Sequence, residues 1–187
     1  MEDLKAQVLA DRLASFVRLK GGYSVPLAGA VYWLALGIAG YRLDMDSWIL
    51  AAFFGSGLIF PLALLFAKIL RNDFMKDKTA TGDVLLPAFV SMLIFWPIAF
   101  AAYGTAPTLV PLILAIGMSH HWPVIGWSYG KTGLYSAHAI IRAIGALLIW
   151  ARLPEGRFTI LPLFVAGVYL ATVIAILISA KREEATA

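Results

Sequence analysis

The chain has no cysteine. That absence removes disulfides, thiolate metal sites and cysteine nucleophiles together. Charge is scarce as well: 14% of the 187 residues are charged against 61% hydrophobic, where a soluble domain carries about a quarter charged. With a mean hydropathy of +0.83, so much apolar surface cannot be hidden in one small water-facing core. Lipid is therefore the solvent for most of it. The sharpest scarcity is of carboxylates at membrane depth. Asp44, Asp46 and Glu155 stand at one set of span ends and Asp83 at the other, and no apolar span contains an Asp or Glu.

What is present is a series of six apolar spans, at roughly 25–41, 48–69, 84–103, 108–127, 133–151 and 160–180. Each is near the roughly 20 residues a helix needs to cross about 30 Å of hydrocarbon. The alternation expected of a membrane barrel is missing, and backbone groups in lipid must be bonded internally, so the spans are read as helices. The expected fold class is an all-α integral membrane protein of six transmembrane helices with an N-terminal amphipathic interfacial helix.

Residues 1–22 form that leading element. Leu4, Val8, Leu9, Leu13, Phe16 and Val17 recur at helical spacing among Lys5, Asp11, Arg12 and Arg18, the pattern of a helix lying on the membrane face. Its apolar run begins too late for a cleavable signal. Gly21 and Gly22 allow the turn into the bilayer. Residues 23–180 form the six-helix domain and 181–187 a short tail.

Loop charges orient the bundle. Lys5, Arg12, Arg18, Lys20, Lys68, Arg71, Lys76, Lys78, Lys131, Lys181 and Arg182 fall on one side, and Arg42, Arg152 and Arg157 on the other. By the positive-inside rule both termini are expected in the cytoplasm, with the cell membrane as the site. The net charge of +4 then follows from topology and needs no nucleic-acid partner. The polar 71–83 loop reads as a solvated connector ending in a helix cap, with lipid head groups or a partner as a lesser alternative.

Pro61, Pro97 and Pro123 sit inside spans, where each frees a carbonyl and should bend its helix. The segments LIFPLALLF (58–66) and LIFWPIAFA (93–101) are alike, but adjacent spans are the wrong spacing for a three-plus-three duplication. Tyr41, Trp48, Trp127, Tyr129 and Trp150 fit an interfacial aromatic belt. Trp33, Trp96 and Trp122 lie deeper.

The chemistry gathers in GMSHHWPVIGWSYGKTGLYSAHAIIRA, residues 117–143, which holds all three histidines and Arg142. The connector between the fourth and fifth spans is short, so these helices are antiparallel neighbours. At about 1.5 Å per residue, His121 is roughly 10 Å deep, His138 roughly 7–8 Å and Arg142 roughly 13 Å. Tyr135, His138, Arg142 and Gly145 form one stripe, leaving Ile140, Ile144, Leu147 and Leu148 for lipid or other helices. A buried arginine costs at least about 2.5–3.5 kcal/mol and needs partners. Without a carboxylate, three solutions remain: carbonyls freed near Pro123 with nearby hydroxyls, snorkelling, or a hydrated cavity holding an anionic or carbonyl-rich ligand.

The candidate ligand-binding set is Arg142, His138, His121, Tyr135, Trp122 and Ser119, with a cavity expected between spans three, four and five. A metal is not expected, because two imidazoles beside a guanidinium make an incomplete and repelling set. No catalytic residues are assigned, and no cofactor is implied. The leading function is a small transporter or channel with an anion site at Arg142. The alternatives are a scaffold or assembly factor whose polar cluster fixes helix register, and an enzyme acting on a lipid, quinone or haem. The bilayer is the one certain partner; glycine-rich faces such as 55–57 also permit a homo-oligomer.

Overall fold

The computed structural model describes residues 2–72, 79 and 81–186. It is all-α: no strand occurs among the described residues. The leading helix α1 covers Glu2–Arg18, with Glu2 and Asp3 in its first turn and Arg18 in its last, the order that suits the helix dipole. A tight turn follows at Lys20–Gly22, where Lys20, Gly21 and Gly22 all have positive φ, of 45°, 57° and 60°. This left-handed stretch swings the chain into α2, Ser24–Ala39.

The second span is α3, Met45–Ser56, followed by α4, Ile59–Ile69. The third is α5, Leu85–Leu93, and α6, Trp96–Thr105. The fourth is α7, Val110–Gly117, and α8, Trp122–Ser128. The fifth and sixth are the unbroken α9, Thr132–Arg152, and α10, Ile160–Thr186. Five helices are long and apolar enough to cross a membrane, and the α3–α4 pair, bent by 50°, makes a sixth if it crosses as one span. Two segments at that angle still advance in one direction, together about 30 Å at about 1.5 Å per residue. The chain is therefore a multi-pass membrane protein of helices.

Proline sets every one of these breaks. Pro61, Pro97 and Pro123 each fall within the first three residues of the second segment of a broken span. Each lacks the N–H that would bond the carbonyl four residues earlier, at Gly57, Leu93 and Ser119, and its ring crowds that carbonyl. The helix must stop there and restart. The two similar segments at 58–66 and 93–101 thus share a physical device, a proline one turn past a break.

The second half of the 71–83 connector behaves differently from the expected cap. Gly82–Val84 form a 3-10 turn with no side-chain cap, and residues 73–78 and 80 of this loop lie outside the described residues. The expected tail also differs in form, since α10 continues as helix through Thr186. Its end is tied to the start of α9 by an ion pair between Lys131 and Glu183.

Packing centres on α2, α9, α10 and the broken α7–α8. Close approach is marked by glycine facing an aromatic or branched side chain: Gly29 lies against the Tyr169 ring, Gly37 against Leu163 and Gly145 against Phe164. A Cβ at any of these would sit within about 2.7 Å of its neighbour, so a larger residue would push α10 away. Ile140, Ile144, Leu147 and Leu148 of α9 are about half exposed, as the stripe requires of a face turned to lipid.

Trp48 departs from the expected aromatic belt. It is fully buried, packs edge-on against Phe158 and donates its indole N–H to the Leu36 carbonyl at 2.9 Å. The Leu36 carbonyl, in the last turn of α2, also accepts the Gly40 N–H at 3.0 Å, so the indole takes its second lone pair and satisfies its own buried N–H there. Tyr129 is buried too, against Phe16. Tyr41 and Trp127 stay exposed.

Candidate functional site

Arg142 is 0% exposed on α9. Its Nη1 donates to the Tyr169 hydroxyl of α10 at 2.6 Å, and its Nη2 makes a longer contact, 3.4 Å, with the Leu114 carbonyl of α7. Two rings flank the guanidinium: its Cζ stands 5.0 Å from the Tyr169 centroid and 5.3 Å from that of Trp33 on α2. A cation over desolvated ring faces gains more than one over exposed faces. Leu114 lies in the final turn of α7, whose carbonyls carry the partial negative charge of a helix C-terminus. An arginine without a carboxylate is thus met by a phenol, two π faces and the end of a half-helix.

The expected carbonyl acceptors were different. Pro123 frees the Ser119 carbonyl, but the Trp122 N–H takes it at 3.1 Å. Arg142 uses Leu114, one turn further back. Ser119 is also not a ligand of Arg142: its hydroxyl donates to the Ile116 carbonyl at 2.5 Å, closing the end of its own helix.

His138 lies one turn from Arg142 on the same face, 2% exposed. Its Nδ1 is 2.8 Å from the Thr172 Oγ1, and that hydroxyl is 2.8 Å from the Val168 carbonyl. A carbonyl can only accept, so Thr172 spends its single proton on Val168 and must accept from His138. The proton of neutral His138 therefore sits on Nδ1, and Nε2 presents a bare lone pair. That Nε2 has no partner among the described residues.

Trp122 joins the remaining rings. Its centroid is 4.8 Å from His138, 5.1 Å from His121, 5.8 Å from Tyr169 and 5.9 Å from the Tyr135 ring, which it stacks. His121 and His138 thus both lie against one indole, while His120 is exposed. Tyr135, fully buried, turns its hydroxyl away from this layer to the Gly21 carbonyl at 2.6 Å.

Of the six residues expected from sequence, Arg142, His138, Trp122 and His121 share one cluster, Tyr135 abuts it, and Ser119 serves its own helix. The cluster lies between α2, α7–α8, α9 and α10, not between the third, fourth and fifth spans. From the third span Phe89 reaches it, 4.9 Å from His121. A separate apolar cleft of about 300 Å³ lies between α2, α3 and α4, lined by residues such as Val31, Ala51, Gly55 and Leu62.

Sequence reasoning missed Tyr169 and Thr172 and left Trp33 outside the candidate set. A signal existed: Tyr169 and Thr172 stand three residues apart in the middle of the most hydrophobic span, away from any interface that would explain a tyrosine. Nothing in the sequence could say which face of α10 met α9.

Five polar atoms of the cluster find no partner among the described residues: Arg142 Nε, His138 Nε2, His121 Nδ1, Trp122 Nε1 and Trp33 Nε1. Each such atom left without a partner costs about 1–3 kcal/mol, so five in one layer is an unusual concentration. No group of three His, Cys, Asp or Glu among the described residues could share a metal ion. No curated protein and no solved structure matches the chain. Residues 11–179 match the family of unknown function DUF7010, and the chain belongs to that family.

Proposed function

We propose that the protein is a small transporter of the cell membrane, with both termini in the cytoplasm, that binds a small anion at Arg142. The observation that carries this reading is the guanidinium itself: wholly buried, without a carboxylate, its Nε unpartnered among atoms that are largely donors. A permanent cation at membrane depth points to a functional site, and substrate pathways are among the uses such charges serve. The broken α7–α8 span supports the same reading, since interrupted helices whose ends face the bundle are the recurring way transporters build a midplane site. The enclosure of the cluster fits a carrier in its occluded form better than an open channel.

The test is uptake of labelled chloride, nitrate, acetate and phosphate into proteoliposomes. At least one anion should accumulate, Arg142→Lys should retain part of the rate because the charge stays and the fork is lost, and Arg142→Met should abolish it while remaining folded. A second reading draws on the bonds of Arg142 to Tyr169 and Leu114, which tie α7, α9 and α10 together as a scaffold would. No uptake of any of the four anions, with Arg142→Met failing to assemble, would decide for the scaffold.

A further inference from the structure

Resting on that anion-site reading, the pairing of His138 with Thr172 narrows the ligand. Arg142 and His138 are one turn apart and both lie against the Tyr169 ring, Arg142 Cζ 5.0 Å and the imidazole 4.7 Å from its centroid. Each presents one unpartnered nitrogen. On Arg142 it is a donor, Nε–H. On His138 it is a lone-pair acceptor, because Nδ1 holds the proton for Thr172. The pair is therefore one donor and one acceptor, each nine-tenths buried or more.

We propose that the ligand is a small monocarboxylate and that it binds together with one proton, shared between its oxygen and His138 Nε2. A carboxylate has two oxygens. One can accept from Arg142, while the other would face the His138 lone pair and be repelled. A proton between them turns that repulsion into a charge-assisted bond. Bookkept from the aqueous phase, one RCOO⁻ and one H⁺ enter the site, held as the acid against neutral imidazole or as carboxylate against imidazolium; no bond other than that to the proton changes. A halide is a single atom and far too weak a base to share a proton with imidazole while it accepts from Arg142, so the acceptor on His138 selects against it. The other ionisable groups around His138 are Arg142 and Tyr135 on its own helix, His121 at the α7–α8 bend and Tyr169 on α10, with Tyr32 of α2 beside Arg142. No carboxylate is among them, so none competes for the proton.

The experiment is calorimetric titration of the purified full chain with acetate, in two buffers of different ionisation heat, with chloride as comparison. Acetate should take up about one proton per site, and its affinity should fall about tenfold per unit between about pH 6 and 8. His138→Gln, which keeps an acceptor but cannot be protonated, should lose the proton uptake and the pH slope. The wild-type proton count decides the matter even if that variant fails to fold. Acetate binding without proton uptake, or chloride binding in place of acetate, overturns the proposal while leaving an anion site at Arg142 standing. No binding of either, together with no uptake of the four anions, overturns both.

Discussion

Arg142 of α9 and Tyr169 of α10 are joined by a 2.6 Å hydrogen bond from Nη1 to the phenolic oxygen, while the Tyr169 ring also lies against the guanidinium. Neither residue has a carboxylate to lean on. Tyr169→Phe keeps the ring and removes only the oxygen, leaving a buried donor unpaired. We expect a loss of about 1–3 kcal/mol in unfolding free energy. In an Arg142→Met background the same change should cost far less, because the donor is gone, and the shortfall measures the coupling. Equal costs in both backgrounds would show that the bond contributes nothing.

The topology is tested by reporter fusions. Those after Met45 and Glu155 should read external, and those after Arg71 and Lys131 cytoplasmic, as the basic asymmetry requires. External readings at both Met45 and Arg71 would mean that α3–α4 turns back within the bilayer and that only five spans cross.

Gly21 is expected to tolerate no side chain. Its φ is +57°, and a Cβ would come within 2.6 Å of the Tyr135 hydroxyl and 2.7 Å of atoms of Ile176 and Phe16. Gly21→Ala carries about 1–2 kcal/mol for the left-handed backbone alone, and the clash adds to it by breaking the Tyr135 bond to the Gly21 carbonyl. Gly167→Ala is the control: nothing lies within 4 Å of its Cβ position in α10, so it should stabilise by about 0.5–1 kcal/mol. Thermal unfolding in detergent separates the two; a Gly21→Ala midpoint at or above wild type would contradict the geometry.

Acid should weaken the start of α3. The Ser47 backbone N–H and then its hydroxyl donate to Asp44 and hold its carboxyl below the ordinary range. A depressed folded value means the contribution is present above the unfolded carboxylate value of about 4 and is lost as pH falls through the folded one. Asp44→Asn keeps a capping oxygen and cannot titrate, so its midpoint should fall less than that of wild type below about pH 4. Identical acid profiles would show that the cap does not couple to unfolding.

The class, the order of the apolar segments, the three proline breaks and the buried face of α9 were already legible in the residues. These are properties of a single segment: apolar length against bilayer thickness, a missing N–H, a helical period of 3.6. Arg142, His138, Trp122 and His121 were legible as one layer because they sit on two helices joined by a short turn, whose relative placement hardly varies. What satisfies Arg142 emerges only from how the helices pack. Tyr169, Thr172 and Trp33 come from spans remote in sequence, and which face of α10 meets α9 depends on where glycine lets helices close up, at Gly29 against Tyr169 and Gly145 against Phe164. Packing also decides that Trp48 turns inward, since an indole at a helix end reads as an interface marker until the carbonyl it serves is known. In a bilayer most helix faces are apolar, so hydrophobicity seldom chooses partners; close packing and a few buried hydrogen bonds do.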